Sequence, residues 1–294
     1  MNSVLAVFAF LALSLPLPAQ PDYLERSDDL NFASGNAESS QLLMEMLPSA
    51  QTDQERAQIY WRLSRDTIMG NDIRRYAGET FGSLLPLYEK AESFADTAIA
   101  LDPQNPMGYY LKACNIGRQE QAHHWLSGLQ VMRTLLVTAA ALDPLLSGPW
   151  YVLGQLYEQV PGWPLSFGNS AMAVSLGRKA LDAAASQVAA GVEREVPLDF
   201  TIQLARHLAK RNWSSERRAR EQADEARGFN ATSDPVQKGL YYEGSVPILP
   251  ISDRDEAREL CQRVITELLG VPGRNLSQEH DLANARKTLA DLGG

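Results

Sequence analysis

From Asp22 onward, apolar positions recur along the chain at the three- and four-residue spacing of amphipathic helices. No segment shows the alternation of apolar and polar residues that is typical of a half-buried strand. The pattern predicts twelve helices, near residues 22–34, 37–48, 52–69, 79–101, 106–118, 121–141, 147–159, 168–190, 197–210, 214–228, 253–269 and 277–292. Joined by short turns, they would form six antiparallel pairs in one all-α domain over residues 21–294.

Two segments of the chain repeat each other at an offset of 41 residues. Ala98–Pro103 reads Ala-Ile-Ala-Leu-Asp-Pro, and Ala139–Pro144 reads Ala-Ala-Ala-Leu-Asp-Pro. The small alanines permit close antiparallel contact, and Asp-Pro ends each helix because proline cannot continue the hydrogen-bond ladder. A repeat of this period indicates stacked helix pairs.

The segment after the second copy carries four residues that share one face of a helix. Trp150, Leu153, Gly154 and Tyr157 match the Trp-x-x-Leu-Gly-x-x-Tyr signature of tetratricopeptide-repeat (TPR) proteins. We expect this stripe and the repeated alanines, Ala98 and Ala139, to be buried between helices. The sequence resembles TPR proteins, and the resemblance implies a right-handed α-solenoid of about six helix pairs with a concave groove.

The helices that follow each Asp-Pro turn would line that groove. With the aromatic stripe in the core, the residues predicted to face the groove are Tyr110, Cys114, Arg118, Tyr151, Gln155, Glu158 and Gln159. This mixed lining suits an extended peptide or a small organic ligand, because aromatic rings supply contact area and polar groups fix orientation. The alternative is that the face binds nothing specific or is filled by the chain's own loops.

Two stretches interrupt the helical pattern. Val160–Asn169 is rich in proline and aromatic residues, and we expect its Trp163 and Phe167 to gate the groove as a lid. Phe229–Ile251 is a longer connection. Long loops are often functional, but the alternative for each stretch is that it covers an apolar helix face.

The first 20 residues contain no charged side chain and hold the apolar run Val4–Leu13. The run is short for a membrane span, is broken by Pro16 and Pro18, and precedes a small-residue cleavage context. We interpret residues 1–20 as a signal peptide and expect a periplasmic or secreted protein with no membrane span after cleavage. The run lacks a preceding Lys or Arg, and an uncleaved hydrophobic helix is the alternative.

The net charge of −9 argues against nucleic acid and against anionic membrane surfaces as partners, because both require a basic face. The densest basic segment comprises Arg206, Lys210, Arg211, Arg217, Arg218 and Arg220. Acidic residues interleave with it at helical spacing. This arrangement favours a solvated, salt-bridged helix surface over an anion-recognising patch.

The chain carries no sequence motif for a metal, a cofactor or catalysis. His-Glu-x-x-His, Gly-x-Ser-x-Gly, Walker A and Gly-x-Gly-x-x-Gly patterns are missing, and the adjacent His123 and His124 point to different sides of a helix. Cys114 and Cys261 fall in apolar helical contexts, which favours buried small hydrophobes, although an exported protein could pair them. We therefore expect a protein that is not an enzyme and has no cofactor.

The segment from Trp150 to Ala173 also resembles a narrower family. The repeat signature is followed by Val160-Pro161-Gly162 and by Gly168-Asn169-x-x-x-Ala173, and Leu282-Ala283-Asn284-Ala285-x-Lys287 occurs near the end of the chain. These segments are similar to the exported TPR proteins of the TatT family, which are associated with TRAP transporters in bacteria. The resemblance implies a periplasmic, non-enzymatic protein with a hydrophobic ligand in a central cleft. The lipoprotein cysteine usual in that family is missing here.

Two binding functions remain open at this stage, and a third reading, an enzyme with an unrecognised site, would need convergent carboxylates or histidines that the sequence does not offer. The first is a binding or scaffold protein whose groove holds a protein or peptide partner. The alternative is a TatT-like accessory of a TRAP-type transport system that binds a small hydrophobic or organic-acid ligand and contacts a transporter component.

Overall fold

The computed structural model describes residues 22–123 and 127–293. The described residues form the α-helices α1 Asp22–Phe32, α2 Asn36–Met46, α3 Asp53–Tyr76, α4 Phe81–Leu101, α5 Pro106–His123, α6 Leu129–Leu142, α7 Ser147–Gln159, α8 Ser170–Ala189, α9 Leu198–Arg211, α10 Ser215–Asn230, α11 Pro235–Leu240, α12 Asp253–Leu269 and α13 Leu276–Asp291. Two 3-10 helices, Leu47–Ser49 and Tyr242–Ser245, complete them. The predicted all-α class is confirmed. The predicted signal peptide, His124 and Trp125 lie outside the described residues.

Each predicted helix has a counterpart, and local signals set several of the ends. Thr52 and Asn169 begin α3 and α8 by accepting hydrogen bonds from backbone N–H groups of the first turn. Both Asp-Pro turns end their helices as expected, with α4 stopping at Leu101 and α6 at Leu142. The largest difference lies in the connection 229–251, which contains α11 and the second 3-10 helix.

The predicted packing stripe is confirmed. Trp150 is 0% exposed and Leu153 1%, Tyr157 is also buried, and Ala98 and Ala139 lie in the core. Helices α3 to α8 pack with their sequence neighbours, as the repeat predicts.

Gly154 permits a close approach of α9. A Cβ atom at Gly154 would lie 2.8 Å from Nε2 of His207, and one at Gly177 of α8 would lie 2.9 Å from Cδ2 of the same ring. The His207 ring is completely buried between the two glycines. The glycine of the repeat signature therefore accommodates an imidazole.

Beyond α8, the pairing departs from the prediction, because α9 packs on α12 while α10 packs on α11 and the second 3-10 helix. Six buried or nearly buried charges join these elements, and we call them the ion network: Arg178, Arg211, Arg218, Glu243, Asp253 and Glu256. Arg211 Nη2 lies 2.8 Å from Asp253 Oδ1, and Arg178 Nη2 lies 2.9 Å from Glu256 Oε2.

The ion network corrects the expectation that the basic segment is a solvated surface. Arg211 and Arg218 are buried, whereas Arg217 and Arg220 are exposed. The acidic partners of the two buried arginines come from the 3-10 helix and α12. Spacing along α9 and α10 alone could not reveal them.

Candidate binding site in the helix ring

Five helices contact one another in cyclic order: α3 with α5, α5 with α7, α7 with α9, α9 with α13, and α13 with α3. Helices α5 and α7 are the predicted groove-lining helices, and α3 and α9 continue the series on either side of them. The last helix, α13, packs on both ends of this series and converts the expected open groove into a ring. The connection between α8 and α9 adds another contact, because Arg194 pairs with Asp29 of α1 and lies 4.5 Å from the centroid of the Phe32 ring.

Side chains from all five helices interact electrostatically across the inside of this ring. We call them the lumen cluster: Asp72, Arg75, Tyr76, Tyr110, Cys114, Arg118, Tyr151, Asp199, His280 and Asp281. Each is half-buried and keeps accessible surface. The cluster is therefore not sealed within the core.

Arg118 lies in the lumen cluster, as predicted, but it has a partner that the sequence did not suggest. Its Nη2 and Nε atoms donate to the carboxylate of Asp72 at 2.6 and 3.0 Å. The Tyr88 hydroxyl donates to the same carboxylate at 3.1 Å. Burial alone would lower the pKa of Arg118, but Asp72 raises it above its ordinary value, so the guanidinium stays charged.

Tyr110 and Cys114 form the wall of α5 beside this pair. A Cβ atom at Gly148 of α7 would lie 2.5 Å from Cζ of Tyr110, so the tyrosine ring rests on a glycine. Tyr110 hydrogen-bonds with the Cys114 thiol, and burial raises the pKa of Tyr110 well above its ordinary value and that of Cys114 to about 12. Cys114 and Cys261 are both free, and Cys114 is half-buried and packs against the apolar core around Leu111.

Tyr151 connects α7 to α9. Its ring stacks on Phe200 with centroids 4.2 Å apart, and its hydroxyl hydrogen-bonds with Asp199. Burial raises the pKa of Asp199, and the hydrogen bond from Tyr151 offsets part of that increase. Tyr110 and Tyr151 are separated by the 41-residue offset of the repeat, and their hydroxyl groups lie close enough to interact electrostatically.

Helix α13 contributes His280 and Asp281. The His280 ring stacks on Tyr76 of α3 with centroids 3.9 Å apart, and burial lowers its pKa below the ordinary value, which keeps it neutral near pH 7. Burial and the nearby Asp199 raise the pKa of Asp281 to about 7. Asp281 has no hydrogen bond or ion pair with any residue that the structure describes.

Glu158 and Gln155 lie on the face of α7 that carries Tyr151, as predicted, but Glu158 is already paired. It accepts a hydrogen bond from Nδ1 of the buried His207, and Gln203 donates to it at 3.4 Å. Glu158 also borders an open cavity of about 540 Å³ at the end of α13, together with Arg206 and Asn284. Gln155 is half-buried.

The loop that carries Trp163 and Phe167 does not cover the lumen cluster, which corrects the expected lid. Trp163 is 90% exposed. Phe167 packs beside Tyr157, with ring centroids 5.2 Å apart, and beside Arg133 of α6. The loop is held on this side because Asn169 N–H donates to the Tyr157 carbonyl at 2.8 Å.

Several residues of the lumen cluster were not found from the sequence: Asp72, Arg75, Tyr76, Asp199, His280 and Asp281. Those on α3 and α9 lie on helices that neighbour the predicted pair α5 and α7, but the 41-residue offset does not lead to them. From Tyr110 the offset leads back to Met69, and from Tyr151 it leads to Val192, before α9 begins. His280 and Asp281 carry no repeat signal either, because α13 reaches the ring through the return of the chain.

Within residues 22–123 and 127–293, no three His, Cys, Asp or Glu side chains are grouped to hold a metal ion. In the same part of the chain, every helix falls short of the length and apolar character that crossing a membrane requires. No protein-family model matches the chain, and no curated protein is significantly similar to it in sequence.

Proposed function

We propose that this chain is a TPR-like, non-catalytic binding protein that holds a small organic molecule in the lumen of its five-helix ring. The protein would act in the periplasm or outside the cell, because residues 1–20 resemble a signal peptide. The cyclic contact of α3, α5, α7, α9 and α13 supports the proposal best. Because α13 lies where an extended peptide would enter a groove, a small ligand fits this arrangement better than a peptide.

The composition of the lumen cluster adds a second line of support. Its tyrosines offer contact area, while its charged and hydroxyl groups can orient a ligand. Perturbed carboxyl groups in a recess are typical of functional sites. A TatT-like role, in which the protein passes its ligand to a TRAP-type transport component, follows from the sequence resemblance.

A pair of adjacent tyrosines on α5 gives the sharpest test of the lumen. Tyr110 faces the lumen, whereas the hydroxyl of Tyr109 donates to the Pro103 carbonyl on the outside. Small molecules from an extract of the native host would be captured on the purified full chain and identified by mass spectrometry. We expect Tyr110→Ala to lose the captured molecule and Tyr109→Ala to retain it. Equal capture by both variants, or capture of nothing by the unchanged protein, would contradict the proposal.

A protein partner is a second candidate function, and the loop Val160–Asn169 favours it. Trp163 and Leu165 are 90% and 84% exposed, and exposed tryptophans often anchor protein interfaces. The rest of the loop is fixed on Tyr157. If a partner docks here, Trp163→Ala weakens its binding and Tyr110→Ala does not, as measured by surface plasmon resonance with a candidate transporter component.

A further inference from the structure

We propose that the cavity between α6, α7 and α11 is a second binding site, which takes a small monocarboxylate whose carboxyl group pairs with Arg133. The cavity lies outside the lumen cluster, because Leu153 and Tyr157 line it on α7, whereas the lumen cluster contains Tyr151 of that helix. Successive positions of an α-helix differ by about 100°, so Tyr151 and Leu153 point in directions about 200° apart. The inference therefore does not depend on the proposed function.

The cavity has the size and the walls of a site for a small, mainly apolar molecule. Its volume is about 180 Å³. Apolar side chains of all three helices form its walls: Val137, Leu153, Val236 and Leu240. Thr134 and Gln237 also line it and are exposed, so the cavity opens to solvent beside them. Because an apolar cavity of about 150 Å³ holds one benzene molecule, this cavity has room for a ligand of similar size.

Local packing holds α11 in the position that forms the cavity. Asp234 caps the helix by accepting hydrogen bonds from the N–H groups of Val236 and Gln237. A Cβ atom at Gly239 would lie 2.5 Å from Cζ3 of the buried Trp150, so α11 lies directly on the packing stripe. The cavity is therefore preformed, and a ligand of matching size needs no rearrangement of its walls.

Arg133 is the one charged side chain among the described residues that line the cavity, and it has no counter-ion. In the described chain, the other buried or half-buried arginines have a carboxylate within 4.0 Å, except Arg206, which donates to Asn284 and Thr288. A guanidinium carries five N–H donors. In Arg133, Nη2 donates to the Tyr157 hydroxyl at 3.2 Å, and Nε is buried without a hydrogen-bond partner. A partly dehydrated cation without a counter-ion favours an anion beside it.

Aromatic rings hold Arg133 while leaving donors for a ligand. The guanidinium carbon lies 4.9 Å from the centroid of the Phe167 ring and 5.8 Å from that of Tyr157. Contacts of this kind stabilise the guanidinium and leave its N–H groups available in the plane of the group. A carboxylate matches that edge because its two oxygens can accept parallel hydrogen bonds.

The charge of the lining favours a single carboxylate over a dicarboxylate or a phosphate. No acidic side chain is among the described lining residues, so nothing in the lining repels one negative charge. A second charge on the ligand would lie against Val236 or Leu240 without a partner, and burying an unpaired charge is costly. The expected ligand therefore has a carboxylate at one end and a compact branched or aromatic group at the other.

Two sets of probes of matched shape test this ligand class on the full chain at neutral pH. The first set is isovalerate, isoamyl alcohol and isoamylamine, and the second is benzoate, benzyl alcohol and benzylamine. We expect isothermal titration calorimetry to show the carboxylate of at least one set binding about tenfold or more tightly than its neutral and cationic counterparts. In methyl nuclear magnetic resonance spectra, that carboxylate should shift the signals of Val236 and Leu240.

Variants of α6 separate the charge from the cavity. Arg133→Met keeps the apolar stem, so it should weaken carboxylate binding by about tenfold or more and leave alcohol binding unchanged. Val137→Phe fills the cavity and should weaken binding of both probes. Arg286→Met, at an exposed position of α13, and Tyr110→Ala, in the lumen cluster, are the controls and should leave carboxylate binding unchanged.

Several results would overturn this inference. They are equal binding of the carboxylate and the alcohol, an affinity that Arg133→Met leaves unchanged, and no carboxylate binding at millimolar concentration. Carboxylate binding that Tyr110→Ala removes and Arg133→Met retains would also overturn it, but would support the proposed function. If Arg133→Met does not fold, the carboxylate preference and the shifts of Val236 and Leu240 in the unchanged protein still decide.

Discussion

The ion network and the lumen cluster both collect charged side chains inside the protein, but only the first balances them. In the ion network, three arginines meet three carboxylates, and burial is outweighed by the arginines, which hold the pKa values of Glu243 and Glu256 below their ordinary values. In the lumen cluster, burial raises the pKa values of Asp199 and Asp281 instead.

The contrast separates structural charge from functional charge. The ion network holds α8, α9, α10, α12 and the second 3-10 helix together, and its members have little accessible surface. Asp281 keeps accessible surface and has no partner within the described residues. A half-buried carboxylate that has no partner in the fold and keeps accessible surface is one that a ligand can pair with.

Breaking the ion network should have the largest effect on stability. Arg211→Met removes the guanidinium and leaves Glu243 and Asp253 buried with fewer cations, so we expect the free energy of unfolding to fall by about 3–5 kcal/mol. Arg217→Met, at an exposed position of the neighbouring helix α10, is the matched control and should change it by less than about 0.5 kcal/mol. Urea denaturation at neutral pH measures both. Similar losses of unfolding free energy for the two variants would show that the ion network stabilises the protein no more than an exposed arginine does.

Overpacking the contact between α7 and α9 should have the next largest effect. Gly154→Leu places a side chain where even a Cβ atom would lie 2.8 Å from His207, and we expect a loss of about 1–3 kcal/mol. Gly82→Ala, at a helical glycine with no neighbour closer than 4.0 Å, is the control and should not destabilise. Thermal unfolding of both variants would compare them, and a Gly154→Leu protein as stable as the unchanged chain would contradict this packing.

Removing the unmatched charge should stabilise the protein at high pH. The pKa of Asp281 rises from the ordinary 3.8 to about 7 on folding, so the folded chain binds more protons than the unfolded chain in that interval. The stability linked to this proton is fully present below about pH 4 and is lost as the pH rises through about 7.

Asp281→Asn should therefore equal the unchanged protein near pH 4 and exceed it by on the order of 1–2 kcal/mol near pH 8, a value reduced because water screens the accessible carboxyl. Denaturation curves at the two pH values measure the difference, with Asp291→Asn as the control on the same helix. A benefit that is independent of pH would contradict the assigned role of the charge.

The smallest effect belongs to the exposed loop. Trp163→Ala should change stability by less than about 0.5 kcal/mol, because its side chain is almost wholly exposed. Phe167→Ala should cost about 1–2 kcal/mol, because that ring packs on Tyr157 and Arg133. Differential scanning calorimetry of the pair tests this placement. If Trp163→Ala lowers the stability as much as the expected loss for Phe167→Ala, the Trp163 side chain is packed, as the lid hypothesis requires.

The sequence predicted the helices and the packing stripe well because local periodicity controls them. Trp150, Leu153 and Tyr157 are buried, and the Asp-Pro turns end α4 and α6. These features depend on residues within a few turns of one another.

The closing of the ring and the pairing within the ion network both depend on residues that are distant in sequence. His280 stacks on Tyr76 because the last helix, α13, packs on α3. Arg211 pairs with Asp253 and Glu243, which lie on elements with no repeat pattern. The repeat places Tyr110 and Tyr151 at equivalent positions, and both interact with Arg118. The position of Phe167 has no such local signal, because a backbone hydrogen bond holds its loop on the Tyr157 side.

The titration of side-chain carboxyl carbons by nuclear magnetic resonance tests the contrast between the two regions most directly. One series of spectra would report the carboxyl groups of the lumen cluster and those of the ion network in the same sample. We predict that Asp281 titrates near pH 7, while Glu243 and Glu256 titrate below their ordinary value. Titration of Asp281 near its ordinary value of 3.8 would show that its charge is hydrated or matched, and would contradict the account of the lumen.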